Sequence, residues 1–217
     1  MKIVVNVRGI NASGKSTAVR EYCRANGLKP VNIQYNGNEY RVMIGNGICV
    51  IGWYKPYSKS EGCDAFREDK EVFKGLLSYI MREKKPDVIV YEKQIWSTTF
   101  KLTWEISQIA RKAGYKFLAV QMCIDYQTAL NRLFGRNGGD FGNLDNFDGR
   151  FRTVYRSKKS MIKSGLPVLD AYVSKISKEN MQMVIPTAIA MYCAGKRFGR
   201  IDENIAGKNE RVLPVPP

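Results

Sequence analysis

Apolar residues recur along this chain in two rhythms. Lys2–Arg8 alternates and is rich in β-branched residues, which predicts a buried strand. Ser16–Asn26 carries apolar residues at helical spacing and stops at Gly27, a residue that ends helices by taking positive φ without strain. Pro30–Tyr35 and Tyr40–Ile44 read as short strands around a turn at Asn36-Gly37-Asn38, and Gly47–Tyr54 as a further strand. The spacing then predicts a helix over Ala65–Lys84, stopped before Pro86, and a compact strand over Asp87–Glu92. Lys101–Ala113 reads as a helix closed by Gly114, Tyr115–Cys123 as a strand, and Asp125–Gly135 as a helix. Asn137–Asp148, rich in Gly, Asn and Asp, reads as a loop, and Arg150–Ser164 as a helix ending at Gly165.

Strands that alternate with helices of this length predict an α/β fold of three layers, with a mostly parallel central sheet. One domain is expected over residues 1–194, with a helical lid over 131–150. From Gly195 the chain turns polar and then Pro-rich, so 195–217 is expected to be a loosely attached tail.

Composition refines this picture in five places. No apolar run approaches the roughly 18 residues of a membrane span. The N-terminus enters a strand directly, without a signal peptide's apolar stretch, so a cytoplasmic protein is expected. The five cysteines (Cys23, Cys49, Cys63, Cys123, Cys193) are odd in number, widely spaced and outside any C-x-x-C pair, which argues against a zinc site or a disulfide framework. There is no histidine, so acid–base chemistry falls to Asp, Glu, Lys, Tyr or Cys. The formal net charge is +15. Such an excess favours a polyanionic partner, DNA or RNA, because contacts to phosphates release counterions; the alternative is a solvated basic surface.

The most specific motif is Gly9-Ile10-Asn11-Ala12-Ser13-Gly14-Lys15-Ser16-Thr17, which fits G-x-x-x-x-G-K-[ST] between a strand and a helix. The glycines let the backbone curl so that N–H groups, among them those from Asn11 to Thr17, surround phosphate oxygens. Lys15 reaches the β- and γ-phosphates of ATP, the Ser16 hydroxyl takes one place on Mg²⁺, and the helix that follows turns its positive end to the same phosphates. An acid at the end of a neighbouring strand completes such sites; Glu92 is the first candidate. Asp125 ends the next strand, but a helix N-cap is the preferred reading there.

The guanine signature Asn-Lys-x-Asp is absent, and the length suits a small phosphotransferase better than a motor. Arg132 and Arg136 lie four residues apart, ahead of Gly138-Gly139, as arginines of a closing lid would; a plain surface helix gives the same pattern. For a base to accept the acceptor's proton, Asp64 in Glu61-Gly62-Cys63-Asp64 is the first choice, a helix N-cap being its other reading. Arg152, Arg156, Lys159 and Lys163 form a basic stripe that suits a nucleic-acid backbone or a solvated face. Trp53, Tyr54, Tyr57, Trp96 and Phe100 are candidates to stack on a base, or core residues.

Three pieces together resemble a known family, the phage P-loop kinases of thymine hypermodification that phosphorylate 5-hydroxymethyluracil in DNA. They are Val5-Asn6-Val7-Arg8-Gly9 leading to Gly14-Lys15-Ser16-Thr17, then Ile51-Gly52-Trp53-Tyr54 followed by Gly62-Cys63-Asp64, and the order of strand, arginine-bearing helix and basic helix from Tyr115 to Lys163. The resemblance implies transfer of the ATP γ-phosphate to the 5-hydroxymethyl group, with Asp64 as base. Lys93, where related kinases often have Gly, and the long Lys55–Glu61 segment depart from the pattern. A nucleotide or polynucleotide 5′-hydroxyl kinase, and a non-catalytic ATP-gated nucleic-acid-binding protein, are the competing expectations.

Overall fold

The computed structural model describes residues 1–54, 69–92, 99–139 and 144–205. Eight strands form one sheet in the order β2-β3-β4-β5-β1-β6-β7-β8. They are β1 (Ile3–Arg8), β2 (Lys29–Tyr35), β3 (Asn38–Gly45), β4 (Ile48–Ile51), β5 (Val88–Tyr91), β6 (Lys116–Cys123), β7 (Val168–Tyr172) and β8 (Phe198–Arg200). The pairs β2–β3 and β3–β4 are antiparallel, and every pair from β4 to β8 is parallel. The helices are α1 (Lys15–Ala25), α2 (Lys70–Tyr79), α3 (Phe100–Lys112), α4 (Tyr126–Arg136), α5 (Leu144–Lys163), α6 (Val184–Cys193) and the short α7 (Asp202–Ile205).

β1 explains the three layers. Its side chains alternate between two buried faces, as a central parallel strand requires. Ile3, Val5 and Val7 pack against Ala18, Val19 and Tyr22 of α1 and Val184, Ile185 and Ala188 of α6. Val4 turns the other way, into a cluster with Phe73 and Leu77 of α2, Leu102 and Ile106 of α3, and Met161 of α5. A third cluster joins Ile10, Ile124, Ala129, Phe147 and Val154, so α4 and α5 cap the sheet beyond the carboxyl ends of its central strands. Cys23, Cys49 and Cys123 are core residues, and burial pushes each thiol up to about 12.

Local chemistry sets the element ends. Asn36 and Gly37 both have positive φ, 51° and 74°, the twist a two-residue hairpin needs between β2 and β3. Asp69 caps α2 by accepting from the Glu71 amide at 2.9 Å. α2 runs on through a π turn, Ile80–Lys84, to Lys85 at φ 49° ahead of Pro86.

Four expectations change. β4 is shorter than Gly47–Tyr54, since Gly52 (φ 121°) turns the chain after Ile51. Of the helix expected over Ala65–Lys84, the described part begins at Lys70, and 65–68 lie outside the described residues. The expected loop Asn137–Asp148 is helical from Leu144. Phe147, Phe151 and Val154 repeat at helical spacing, and Tyr126 meets Phe147 and Phe151 edge-on with ring centres 5.5 and 5.3 Å apart. That apolar stripe outweighs the loop-forming composition. The segment expected to be a loose tail from Gly195 supplies β8, which pairs with β7, and buries Ile201 and Ile205 in the core up to residue 205. Polar composition concealed a strand of only three residues. Among the described residues no helix is long and apolar enough to cross a membrane.

Ile201→Ala is expected to destabilise the protein by about 2–5 kcal/mol in urea denaturation, the cost of emptying a buried aliphatic site. A loss below about 0.5 kcal/mol, the scale of a surface substitution, would show that this segment is not packed.

Candidate functional site

The site lies at the carboxyl ends of β5, β1 and β6, where the strand order reverses around β1 and α/β sheets hold their ligands. β1 delivers the chain into Gly9–Gly14, and α1 starts at Lys15. Two glycines are obligatory. A Cβ on Gly9 would lie 2.5 Å from Ser13 Oγ and 2.8 Å from the Met122 carbonyl oxygen of β6, and the backbone of β6 cannot retreat. Gly14 sits at φ 80°, and a Cβ there would meet Met181 Cε at 2.9 Å. Ala12 also has positive φ, 61°.

The loop is built for an anion. α1 has no side-chain cap and no acid among its own first-turn residues, which leaves its N-terminal N–H groups and dipole to the loop. Lys15 is buried, and its ammonium donates to the Ile10 carbonyl at 2.7 Å, inside the curl. Those features fit a polyphosphate. Ser16 Oγ donates to Glu92 Oε1 at 2.7 Å, joining the first turn of α1 to the residue after β5. Glu92 is buried. A hydroxyl and a carboxylate so close are hard oxygen donors of the kind magnesium takes alongside phosphate oxygens. Among the described residues no group of three or more His, Cys, Asp or Glu gathers to hold a metal by side chains alone.

Arg132 reaches the loop, its Nη1 donating to the Ala12 carbonyl at 3.4 Å. Arg136 lies one turn further along α4 and is exposed. Gly138 (φ 70°) ends that helix, with the Gly139 amide returning to the Phe134 carbonyl at 2.9 Å. Asp125 is the N-cap of α4 and accepts from the Thr128 amide at 2.8 Å. That amide, with Arg132 further off, holds its carboxyl below the usual carboxylate range. Arg152, Arg156, Lys159 and Lys163 are all exposed on α5. Trp53 is half-buried under the Arg41 guanidinium, 4.5 Å from the ring centre, and Tyr54 is buried in the core. Phe100 packs on Trp104. Asp64, Cys63, Tyr57, Trp96, Lys93 and the Lys55–Glu61 segment lie outside the described residues. The cap of α2 is Asp69.

Sequence reasoning gave no role to Arg8. Its guanidinium is fully buried beside the root of the loop and donates to Gln121 Oε1 (3.1 Å), Ser157 Oγ (2.9 Å) and Met161 Sδ (2.8 Å). Burial pushes it down to about 10, so it stays cationic at neutral pH. The signal was present: a charge interrupts an apolar strand directly before Gly9.

A glycine-bearing loop from a central parallel strand into a helix, with a strand-end acid bonded to the loop's serine, defines a P-loop nucleotide-binding protein. The chain belongs to the 5-hmdU DNA kinase family, whose model matches residues 3–192. It is a P-loop kinase. A 5-hmdU DNA kinase of Pseudomonas phage M6 is 25% identical over 181 residues, covering 77% of this chain and 90% of that protein. A 5-hmdU DNA kinase of Bacillus phage SP10 is 24% identical over 173 residues, and the match spans 77% of this chain but 26% of the relative's length. The solved structure of the signal recognition particle receptor FtsY from Elizabethkingia anophelis, in complex with GDP, aligns at 14% identity and a TM-score of 0.28. That alignment covers 93% of this chain and 50% of that one, a likeness too slight to carry an argument.

Two outcomes follow from this geometry. Gly9→Ala is expected to strain the loop by about 1–3 kcal/mol, lowering triphosphate affinity in calorimetric titration while the far-ultraviolet circular dichroism is retained. The Asp125 cap contributes stability above its unfolded-state value, 3.8, and loses it as pH falls through the lower folded-state value. Protection of the Ala129 amide from hydrogen exchange should therefore weaken on acidification in the wild type. In Asp125→Asn, which caps without ionising, that acid dependence should vanish.

Proposed function

We propose that this chain transfers the γ-phosphate of ATP to the 5-hydroxymethyl group of 5-hydroxymethyluracil in DNA, in the cytoplasm of an infected bacterium. The observation that carries the proposal is the Ser16–Glu92 hydrogen bond at the mouth of the P-loop, in a chain whose residues 3–192 match the 5-hmdU DNA kinase family. The relatives' names supply the acceptor, and the +15 charge suits a DNA substrate.

The roles follow from chemistry. Backbone N–H groups from Asn11 to Thr17 hold the β- and γ-phosphates, with Lys15 as the internal cation. Ser16 and Glu92 would hold Mg²⁺, which offsets charge on the phosphates when bound. Asp64 takes the proton of the acceptor hydroxyl. That hydroxyl's oxygen forms a bond to the γ-phosphorus as the bond from phosphorus to the β–γ bridging oxygen breaks, so ADP leaves. Arg132 and Arg136 neutralise the transferring group from α4.

The test is labelled ATP with DNA containing 5-hydroxymethyluracil, digested to nucleosides. Label on the modified base supports the proposal. Label only on mononucleotides or on 5′-hydroxyl ends moves the acceptor and sinks it. Asp64→Asn should keep ATP and DNA affinity but lose about 10²–10⁴ in turnover, the usual worth of a positioned base. ATP hydrolysis without a labelled acceptor, unaffected by Asp64→Asn, would instead mark a non-catalytic DNA-binding protein. Glu92→Gln should raise the magnesium needed for half-maximal activity by about 10–100-fold, the scale seen when a metal's supporting carboxylate is removed.

A further inference from the structure

At the amino ends of the strands, away from the P-loop, lies a cleft of about 170 Å³ between α3, the turn from α5 into β7, and Tyr192 of α6. Arg111, Lys116 and Arg197 line it, and no aspartate or glutamate does. All three cations are exposed. Two aromatic rings shape it: Tyr192 lies 6.0 Å from the Lys116 ammonium, and Tyr115 is fixed by its hydroxyl donating to the Pro86 carbonyl at 2.8 Å. Arg197 is anchored where α5 ends, its Nη2 donating to the Gly165 carbonyl.

This cleft is not part of the nucleotide site. Along β6, Lys116 pairs with Ile3 and Gln121 pairs with Arg8. Five steps along the strand separate Lys116 in the cleft from the root of the P-loop, about 17 Å at the usual rise.

In the chain it follows directly on the basic stripe of α5. Arg152, Arg156, Lys159 and Lys163 follow a spacing of four, three and four residues, so they share one face. From Arg152 to Lys163 the helix rises about 17 Å, some five base-pair steps of duplex DNA. Two residues beyond Lys163 stands Gly165, already in the cleft. Ion pairs among the described residues occupy Arg20, Arg24, Lys74, Arg82, Lys158 and Arg200, and none involves a cation of the stripe or the cleft. Asp148, one turn before Arg152 on α5, is engaged by the Tyr126 hydroxyl. Seven cations without an ion pair among the described residues raise the affinity and on-rate for a polyanion.

We propose that the cleft of Arg111, Lys116 and Arg197 is a second phosphate-binding site, which grips the sugar–phosphate backbone of the DNA substrate after it has passed along α5. The proposal rests on the DNA-kinase reading and adds to it a grip remote from the reacting base. Contacts of this kind position the nucleic acid and carry no sequence information.

The test compares wild type with Arg111→Ala/Arg197→Ala, titrating unmodified single- and double-stranded oligonucleotides by fluorescence anisotropy across a salt series. Affinity at low salt should fall about tenfold or more. The slope of log affinity against log salt on duplex should shrink by about 2, one for each phosphate no longer neutralised. ATP affinity and thermal midpoint should not move, and Arg111→Lys/Arg197→Lys should restore the slope. An unchanged slope and affinity, with Arg156→Ala reducing both, would overturn the site. A wild type that binds neither oligonucleotide would overturn the site and the DNA reading together. If the slope falls but no 5-hydroxymethyluracil is phosphorylated, the site stands and the acceptor assignment fails. If phosphorylation occurs and the slope does not move, the reverse holds.

Discussion

The guanidinium of Arg8 sits inside the protein with no carboxylate among its hydrogen-bond partners in the described residues. Removing such an ion from water costs several kcal/mol unless its N–H groups are satisfied. Three elements answer that cost together: β1 supplies the arginine, β6 supplies Gln121, and α5 supplies Ser157 and Met161. The position of α5 follows. With Ser157 and Met161 turned inward, Arg156, Lys159 and Lys163 are turned to the surface. One buried cation thus orients the helix that carries the exposed ones, and does so from the strand that roots the P-loop.

The P-loop was legible in the sequence because its requirements are local. Gly9, Gly14, Lys15 and Ser16 lie within one loop, and backbone geometry alone dictates where glycine must stand. Glu92 was legible for a related reason: in a parallel sheet, strand ends gather at one edge, so an acid closing Asp87–Glu92 had to arrive near the loop. Asp125 read correctly as a cap because its partner is only three residues away. What escaped depended on distant partners. Arg8 looks like a solvated residue until Gln121 and Ser157 are brought to it. The first turn of α5 looked like a loop because Phe147 finds its neighbour, Tyr126, on another helix. β8 was hidden because three residues carry no period, and only pairing to β7 makes them a strand.

The two ends of the sheet carry different surfaces. At the carboxyl ends lie the loop, its lysine, the Ser16–Glu92 pair and the arginines of α4. At the amino ends lies a surface with cations and no lining acid. α5 connects the two. A substrate held at both ends of that helix would be oriented before its reacting group met the phosphate, so binding energy from remote contacts would be available to position the chemistry.

The central place of β1 has a consequence for how the chain is made. Its hydrogen-bonded neighbours come late: Asn6 is 85 residues from Tyr91 of β5, and Arg8 is 113 residues from Gln121 of β6. At ribosomal rates of about 5–20 residues per second, β1 waits roughly 4–20 s for its first parallel partner. During that interval a largely apolar strand edge and an unneutralised arginine are both without their native surroundings. The protein's period of greatest exposure to aggregation therefore falls before the kinase site exists, during synthesis of the hairpin and the helices that separate β1 from β5.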